Sequence, residues 1–218
     1  LPAVGERLAD ILDLAGVHVL LQDLGDALEE EGGVRIALAR AAVIVGVLRL
    51  AANGTPADTI TYKSTSFFLH YSGPRLAIRV RDQNAPLRKN YSGLQWYAAN
   101  PSVKVVGQFT KLATPKTVQV PNILGDLEPF EVAGTVAVTI GGKAANMEAW
   151  KSGNQLWFVF RDLTSADTTY PSARFLYTDM PGPDGKLVMD FNRARNPPCA
   201  YNQWTTCPLP PSANKLAV

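Results

Sequence analysis

The stretch that decides the fold is Thr135-Val136-Ala137-Val138-Thr139-Ile140, followed by Gly141-Gly142-Lys143 and then Ala144-Ala145-Asn146-Met147-Glu148-Ala149-Trp150. Side chains in a strand alternate between faces, so the first run reads as a strand with an alternating face. Gly141-Gly142 supplies a tight turn, and the whole predicts a β-hairpin. Working outward, the same texture of short apolar runs divided by turn residues extends over most of the chain. Candidate strands are Val43–Leu50, Ile60–Tyr71, Arg75–Arg81, Val103–Thr110, Thr117–Val120, Leu156–Arg161, Arg174–Tyr177 and Lys186–Phe191. Asn53-Gly54, Ser72-Gly73-Pro74, Ser152-Gly153-Asn154 and Asp184-Gly185 punctuate them. Strands at such spacing, without long helices between, predict a mainly β protein with an antiparallel β-sandwich or barrel-like body.

The first third departs from this texture. Residues 1–33 carry eight acids (Glu6, Asp10, Asp13, Asp23, Asp26, Glu29, Glu30 and Glu31) and one base, Arg7. Leu8, Ile11, Leu12, Leu14 and Ala15 suit a helical apolar face, and Val19, Leu20, Leu21, Leu24 and Leu28 suit a second, with Gly16 and Gly25 interrupting and Gly32-Gly33 ending it. The expected organisation is an acidic helical N-terminal segment over residues 1–42 and a β domain over 43–218 that closes in a Cys/Pro-rich block. The acidic segment reads as a solvated helix or as a docking arm for another protein subunit.

Composition narrows the chemistry. The chain has 218 residues, 46% hydrophobic and 18% charged, with a formal net charge of only +2. A nucleic-acid partner is not expected, because such proteins carry a strong basic excess. No phosphate-binding glycine motif occurs. Only His18, His70, Cys199 and Cys207 are available as soft ligands, so neither a three-histidine nor a four-cysteine zinc site can be built, and no metal is expected. His70, after Phe67-Phe68-Leu69, reads as an ordinary strand residue. No residue argues for a flavin, haem or other cofactor. The most apolar run, Ile36–Leu50, is broken by Arg40 and Arg49 and is too short to span a bilayer. The first residue is Leu1 rather than Met, which fits removal of an export signal, as it fits trimming or an incomplete sequence. The expected location is the periplasm or an extracellular surface.

One block is too unusual to be generic: Asp190-Phe191-Asn192-Arg193-Ala194-Arg195-Asn196-Pro197-Pro198-Cys199-Ala200-Tyr201, running to Thr206-Cys207-Pro208-Leu209-Pro210-Pro211. With it come Leu76–Asp82, Tyr91–Trp96, Val120–Asp126, Phe158–Ser165 and Arg174–Asp179. Together these blocks resemble the domain-of-unknown-function 1684 family over roughly residues 60–218. Arg195 stands where that family's pattern more often has an aromatic residue. The resemblance implies no reaction.

On physical grounds the prolines of the closing block fix extended or turn geometry around both cysteines. A disulfide between Cys199 and Cys207 would close a nine-residue loop and contribute about 2–3 kcal/mol through loop entropy. Two buried free thiols, or a metal or redox pair, are the alternatives. The polar constellation of interest comprises Arg79, Arg81, Arg161, Arg174, Asn192 and Arg193 as ligand-binding candidates, with Asp82, Asp162 and Asp190 as candidate general bases. Arg79 and Arg81 share a strand face and could clamp a carboxylate or phosphate. The competing reading has these side chains, with Asp179, locking strand ends to one another. The aromatic residues Trp96, Tyr97, Trp150, Trp157, Phe158, Phe160, Phe175 and Tyr177 read as core and rim. Trp157 to Phe160 is apolar on both faces, so that strand is central or covered by the N-terminal helices.

The expectation that follows is a non-catalytic exported accessory or binding subunit of a larger, membrane-associated assembly. The alternative is an enzyme or carrier that holds a small anionic substrate in the arginine cluster, with an Asp as general base.

Overall fold

The computed structural model describes residues 57–72 and 75–218, together with the backbone of four strands earlier in the chain. The chain divides into two compact units, Leu1–Lys89 and Asn90–Val218, where the sequence reading drew its line between 42 and 43.

In the first unit, β1 (Leu8–Leu14), β2 (Val17–Gln22), β3 (Gly33–Ala39) and β4 (Ile44–Arg49) form an antiparallel sheet in that order. The expected N-terminal helices are therefore corrected: the described parts of 1–42 are strands. The glycines at 16, 25, 32 and 33 cut the apolar sequence into runs of strand length, too short to sustain a free-standing helix. The acidic stretch from Asp23 to Glu31, proposed as a docking arm, lies outside the described residues. A second sheet contains β5 (Thr59–Tyr62), β6 (Thr65–Ser72) and β7 (Arg75–Asp82). The single expected strand Ile60–Tyr71 is thus a hairpin. Its two-residue turn at Lys63-Ser64 puts Lys63 at φ 51°, a conformation that no glycine or asparagine announced.

The second unit is built on one antiparallel sheet of six strands. They are β8 (Lys104–Pro121), β9 (Leu127–Ile140), β10 (Lys143–Ser152), β11 (Gln155–Phe160), β12 (Arg174–Asp179) and β13 (Lys186–Asp190). The order β12-β11-β10-β9-β8-β13 curls until β12 and β13 approach each other, giving a nearly closed barrel-like sheet. The expected hairpin at Gly141-Gly142 is present, with Lys143 paired to Ile140. The separately expected strands 103–110 and 117–120 are one strand, β8, whose register against β9 shifts between Lys111 and Lys116. Pro115, which has no N–H to give to the ladder, sits in that break.

Beside this break, β9 carries a bulge. Gly134 pairs with Ala149 and Val132 with Trp150, leaving Ala133 as the extra residue. The bulge reverses which face the even-numbered residues of β9 present. Val136, Val138 and Ile140 pack with Met147, Ala149, Leu156, Phe158, Phe160, Leu176 and Met189 in one core. Val132 instead joins Val120, Trp150, Val159, Phe175, Cys199 and Cys207 in a second core. A side chain at Gly134 would lie 2.7 Å from the Phe109 ring, so the bulge needs a glycine there.

The C-terminal segment covers the second core, and β11, apolar on both faces, lies inside the sheet between β10 and β12, which is the central position its sequence allowed. Arg195 exchanges two backbone hydrogen bonds with Phe175 (2.8 and 3.0 Å). The Ile123 N–H donates to the Cys207 carbonyl and the Leu209 N–H to the Pro121 carbonyl. Further on, the side chain of Asn214, 1% exposed, accepts from the Glu148 N–H and donates to the carbonyls of Glu148 and Val159. Leu216 N–H donates to the Arg161 carbonyl at 2.7 Å, so the tail is stitched across β10 and the end of β11.

Candidate functional site

The predicted polar constellation separates between the two units. Arg79, Arg81 and Asp82 belong to β7 in the first. Arg81 lies over the Phe68 ring, 4.7 Å from its centre. Asp82 accepts the Asn84 N–H at 2.8 Å. That bond, with Ser64 and Lys89 assisting, holds its carboxyl below the usual range, the opposite of what a general base at neutral pH needs.

In the second unit the structure brings Asp162 and Arg174 together. Arg174 Nη1 donates to Asp162 Oδ2 at 2.7 Å, both side chains being nearly buried. The other carboxylate oxygen accepts the Thr164 N–H at 3.0 Å and its hydroxyl at 2.5 Å. The guanidinium also donates to the Ala194 carbonyl and sits over Phe160. This pair fixes the turn after β11 against β12 and the closing block. Asp190 and Asn192 also meet: Asp190 Oδ1 accepts from the backbone and side-chain nitrogens of Asn192. Asn192 in turn donates to the Asn100 carbonyl at 2.9 Å and accepts the Asn100 N–H at 2.8 Å, clipping the segment before β8 onto the start of the closing block. Arg161 is joined to the tail through its backbone, and Arg193 is exposed at the end of the short 3-10 turn 191–193. A shallow groove of about 540 Å³ outside β8 and β9, walled by Val106, Gly107, Gln108, Ala137, Thr139 and Lys186, contains none of the predicted site residues.

The chemistry that sequence reasoning scattered is gathered in the second core. Trp150, Trp157 and Tyr177 are neighbours in register across β10, β11 and β12. Phe130 stacks on Trp150 at 4.5 Å, Trp157 stacks on Tyr177 at 5.7 Å, and Phe175 meets Trp157 edge-on. The Trp157 indole N–H is buried with no hydrogen-bond partner among the described residues, which costs about 1–3 kcal/mol. Arg195 lies over Tyr177, 5.3 Å from its centre; burial raises the Tyr177 hydroxyl against that charge.

Cys199 and Cys207 sit under this layer, both buried and both free thiols. The Cys199 N–H donates to Cys207 Sγ at 3.4 Å. A hydrogen bond from the Cys207 thiol, with another from the Tyr170 hydroxyl, lowers Cys199 to about 7. The same bond, together with burial, raises Cys207, which keeps its proton. Tyr170 is raised as well, chiefly by burial.

A second feature had only a weak signal in the sequence. The segment after Asn90 runs exposed along the unit, with Tyr91 edge-on to Tyr201 at 5.8 Å and the Tyr97 hydroxyl bonded to that of Thr168. Trp96, Tyr97 and Trp204 are 54%, 57% and 80% exposed, and Leu94 is exposed as well. Of the aromatic residues expected in core and rim, Trp96 and Tyr97 are exposed.

The family model described as "Protein of unknown function (DUF1684)" matches residues 89–218, more than half of the chain. The chain belongs to this family. The DUF1684 match starts at the boundary between the two units, so the block Leu76–Asp82 lies outside it. Inside it fall the dithiol, the Asp162–Arg174 pair and the exposed aromatic band. The chain is also similar to an uncharacterized protein of Haloarcula marismortui whose structure was solved by NMR in solution. They share 26% identity with a TM-score of 0.51, over 60% of this chain and 75% of that one. No curated protein matches the chain.

Proposed function

We propose that this chain is a non-catalytic binding subunit that takes up a protein partner along the band formed by Tyr91, Leu94, Trp96, Tyr97, Tyr201 and Trp204. The observation that carries the reading is the exposure of these large side chains on segment 91–97 and loop 201–204, two segments joined where Tyr91 meets Tyr201 edge-on. Tryptophan, tyrosine and arginine supply most of the energy in protein interfaces, and exposed tryptophans and tyrosines on two adjoining segments supply such anchors here. An enzyme or carrier with an arginine clamp and an aspartate base draws less support. Asp162 is held by Arg174 and Thr164, Asp190 holds Asn192, and Asp82 is kept ionised by its turn.

Native mass spectrometry of the protein, isolated gently from its source, is the test. The expected result is a species well above 23.6 kDa with defined companions, which the paired change Trp96→Ala and Trp204→Ala releases. A 23.6 kDa monomer carrying a small anionic adduct that survives this double change would overturn the proposal in favour of a ligand carrier or enzyme. Fractionation of the same cells tests export: recovery with the periplasmic or surface fraction is expected, and recovery with the cytoplasm overturns that part.

A further inference from the structure

The two cysteines are held from opposite sides of one loop. Cys199 lies in the short turn Pro198–Ala200. The backbone before it is fixed by the exchange between Arg195 and Phe175 and by the Asn196 side chain, which accepts the Tyr170 N–H at 3.1 Å. Cys207 is fixed by its carbonyl on Ile123 and by the bridge between Pro208 and Asn122. Between these anchors, residues 201–204 are exposed, and Tyr201 and Asn202 donate their N–H groups to the Pro198 carbonyl. Local opening of this loop is the path by which a small reagent would reach the sulfurs, while the bonds at Arg195, Asn196 and Ile123 hold the flanks of the two cysteines.

We propose that Cys199 and Cys207 are a thiol–disulfide couple oxidised by a hydroperoxide, with Cys199 as the attacking sulfur and Cys207 as the resolving thiol. The surroundings distinguish the two roles. Cys199 accepts from the Cys207 thiol and the Tyr170 hydroxyl, so it carries the thiolate near neutral pH, while Cys207 stays protonated as its donor.

The electron count closes with the peroxide alone. The Cys199 thiolate attacks one peroxide oxygen, the O–O bond breaks, and the departing hydroxide takes a proton from solvent to become water. This leaves a sulfenic acid on Cys199. The Cys207 sulfur then attacks the Cys199 sulfur and gives up its proton, and the sulfenic oxygen leaves as a second water. Both sulfurs are oxidised to the disulfide, and the peroxide is reduced to water.

The experiment uses the full chain, folded and reduced, treated with hydrogen peroxide, quenched with iodoacetamide and mapped by peptide mass. The expected product is lighter by two hydrogens, has Cys199 joined to Cys207, and reverts with dithiothreitol. In Cys207→Ser, dimedone should label Cys199; in Cys199→Ser, Cys207 should stay unlabelled. The rate should fall about tenfold per pH unit below 7, following the thiolate fraction. Thermal melts beside the reduced wild type check that each variant is folded, and the wild-type mapping stands without either. Recovery of both cysteines alkylated after peroxide would overturn the proposal. So would labelling of Cys207 in the Cys199→Ser variant at the rate seen for Cys199.

Discussion

The two faces of the sheet β9–β12 are packed by different means. One face turns Val136, Met147, Leu156, Phe158, Phe160 and Leu176 into a core that the curved sheet encloses, with Phe191, Ala194 and Leu216 packed into it. The other turns Val132, Trp150, Trp157, Val159, Phe175 and Tyr177 toward two irregular segments, the closing block with its two thiols and the loop before β12 with the Tyr170 phenol. Strand ladders enclose most of the first core, and Asn214 bridges β10 and β11 beyond their three paired residues. Backbone bonds at residues 195, 207 and 209 hold the cover of the second. The two thiols lie beneath the irregular cover and not inside the strand-enclosed core, and a cover held by few backbone bonds is where local opening is expected first.

The sharpest test of that contrast is Phe158→Ala, which empties a fully buried site on β11. It should cost about 3–5 kcal/mol in urea unfolding. Trp157→Ala, one residue away on the covered, half-buried face, should cost clearly less. Equal losses would break the comparison.

Arg174→Ala should come next, because it leaves Asp162 buried without its cation; about 3 kcal/mol is expected. Arg174→Met with Asp162→Leu should recover most of it if the pair's role is packing and not ligand binding.

Asn214→Ala removes three backbone partners of the tail and should cost about 1–3 kcal/mol. In hydrogen exchange it should release β10 at Glu148 before it affects Met147 or Val136. Simultaneous release would show that the tail opens only together with the first core.

A pH series sharpens the same point. Folding lowers Cys199 to about 7, so its contribution is complete above the ordinary thiol value and lost as pH falls through about 7. Cys207 is raised and works the other way once free thiols ionise. Stability should therefore rise from about pH 7 toward 9 and turn down beyond. Cys199→Ser should abolish the rise. Trp204→Ala should be the smallest, within about 0.5 kcal/mol, while weakening the partner interaction.

The hairpin at Gly141-Gly142 was legible because alternation and a glycine pair are local signals. Most strands of the second unit were found the same way. The N-terminal strands were missed: Leu, Ile and Ala at helix-compatible spacing outweighed the glycines that cut the runs. The Lys63-Ser64 turn was missed because neither residue is a usual occupant of a left-handed position. For the candidate site, the sequence supplied the acids and arginines but not their partners. Asp162 meets Arg174 across two strands, and Asp190 meets Asn192 within a turn, whereas Asp82 belongs to another unit.

By itself, then, the sequence determined a mainly β chain, the family to which it belongs and the proline-framed cysteine pair, because each is written in neighbouring residues. Only the tertiary structure decided which face each residue serves. The bulge at Ala133 reverses the even-numbered side of β9, and one added residue in a ladder moves every side chain beyond it to the opposite face. Through that reversal Val132 joins Trp150, Cys199 and Cys207 in the second core, a grouping that depends on contacts far apart in the chain and leaves no local mark.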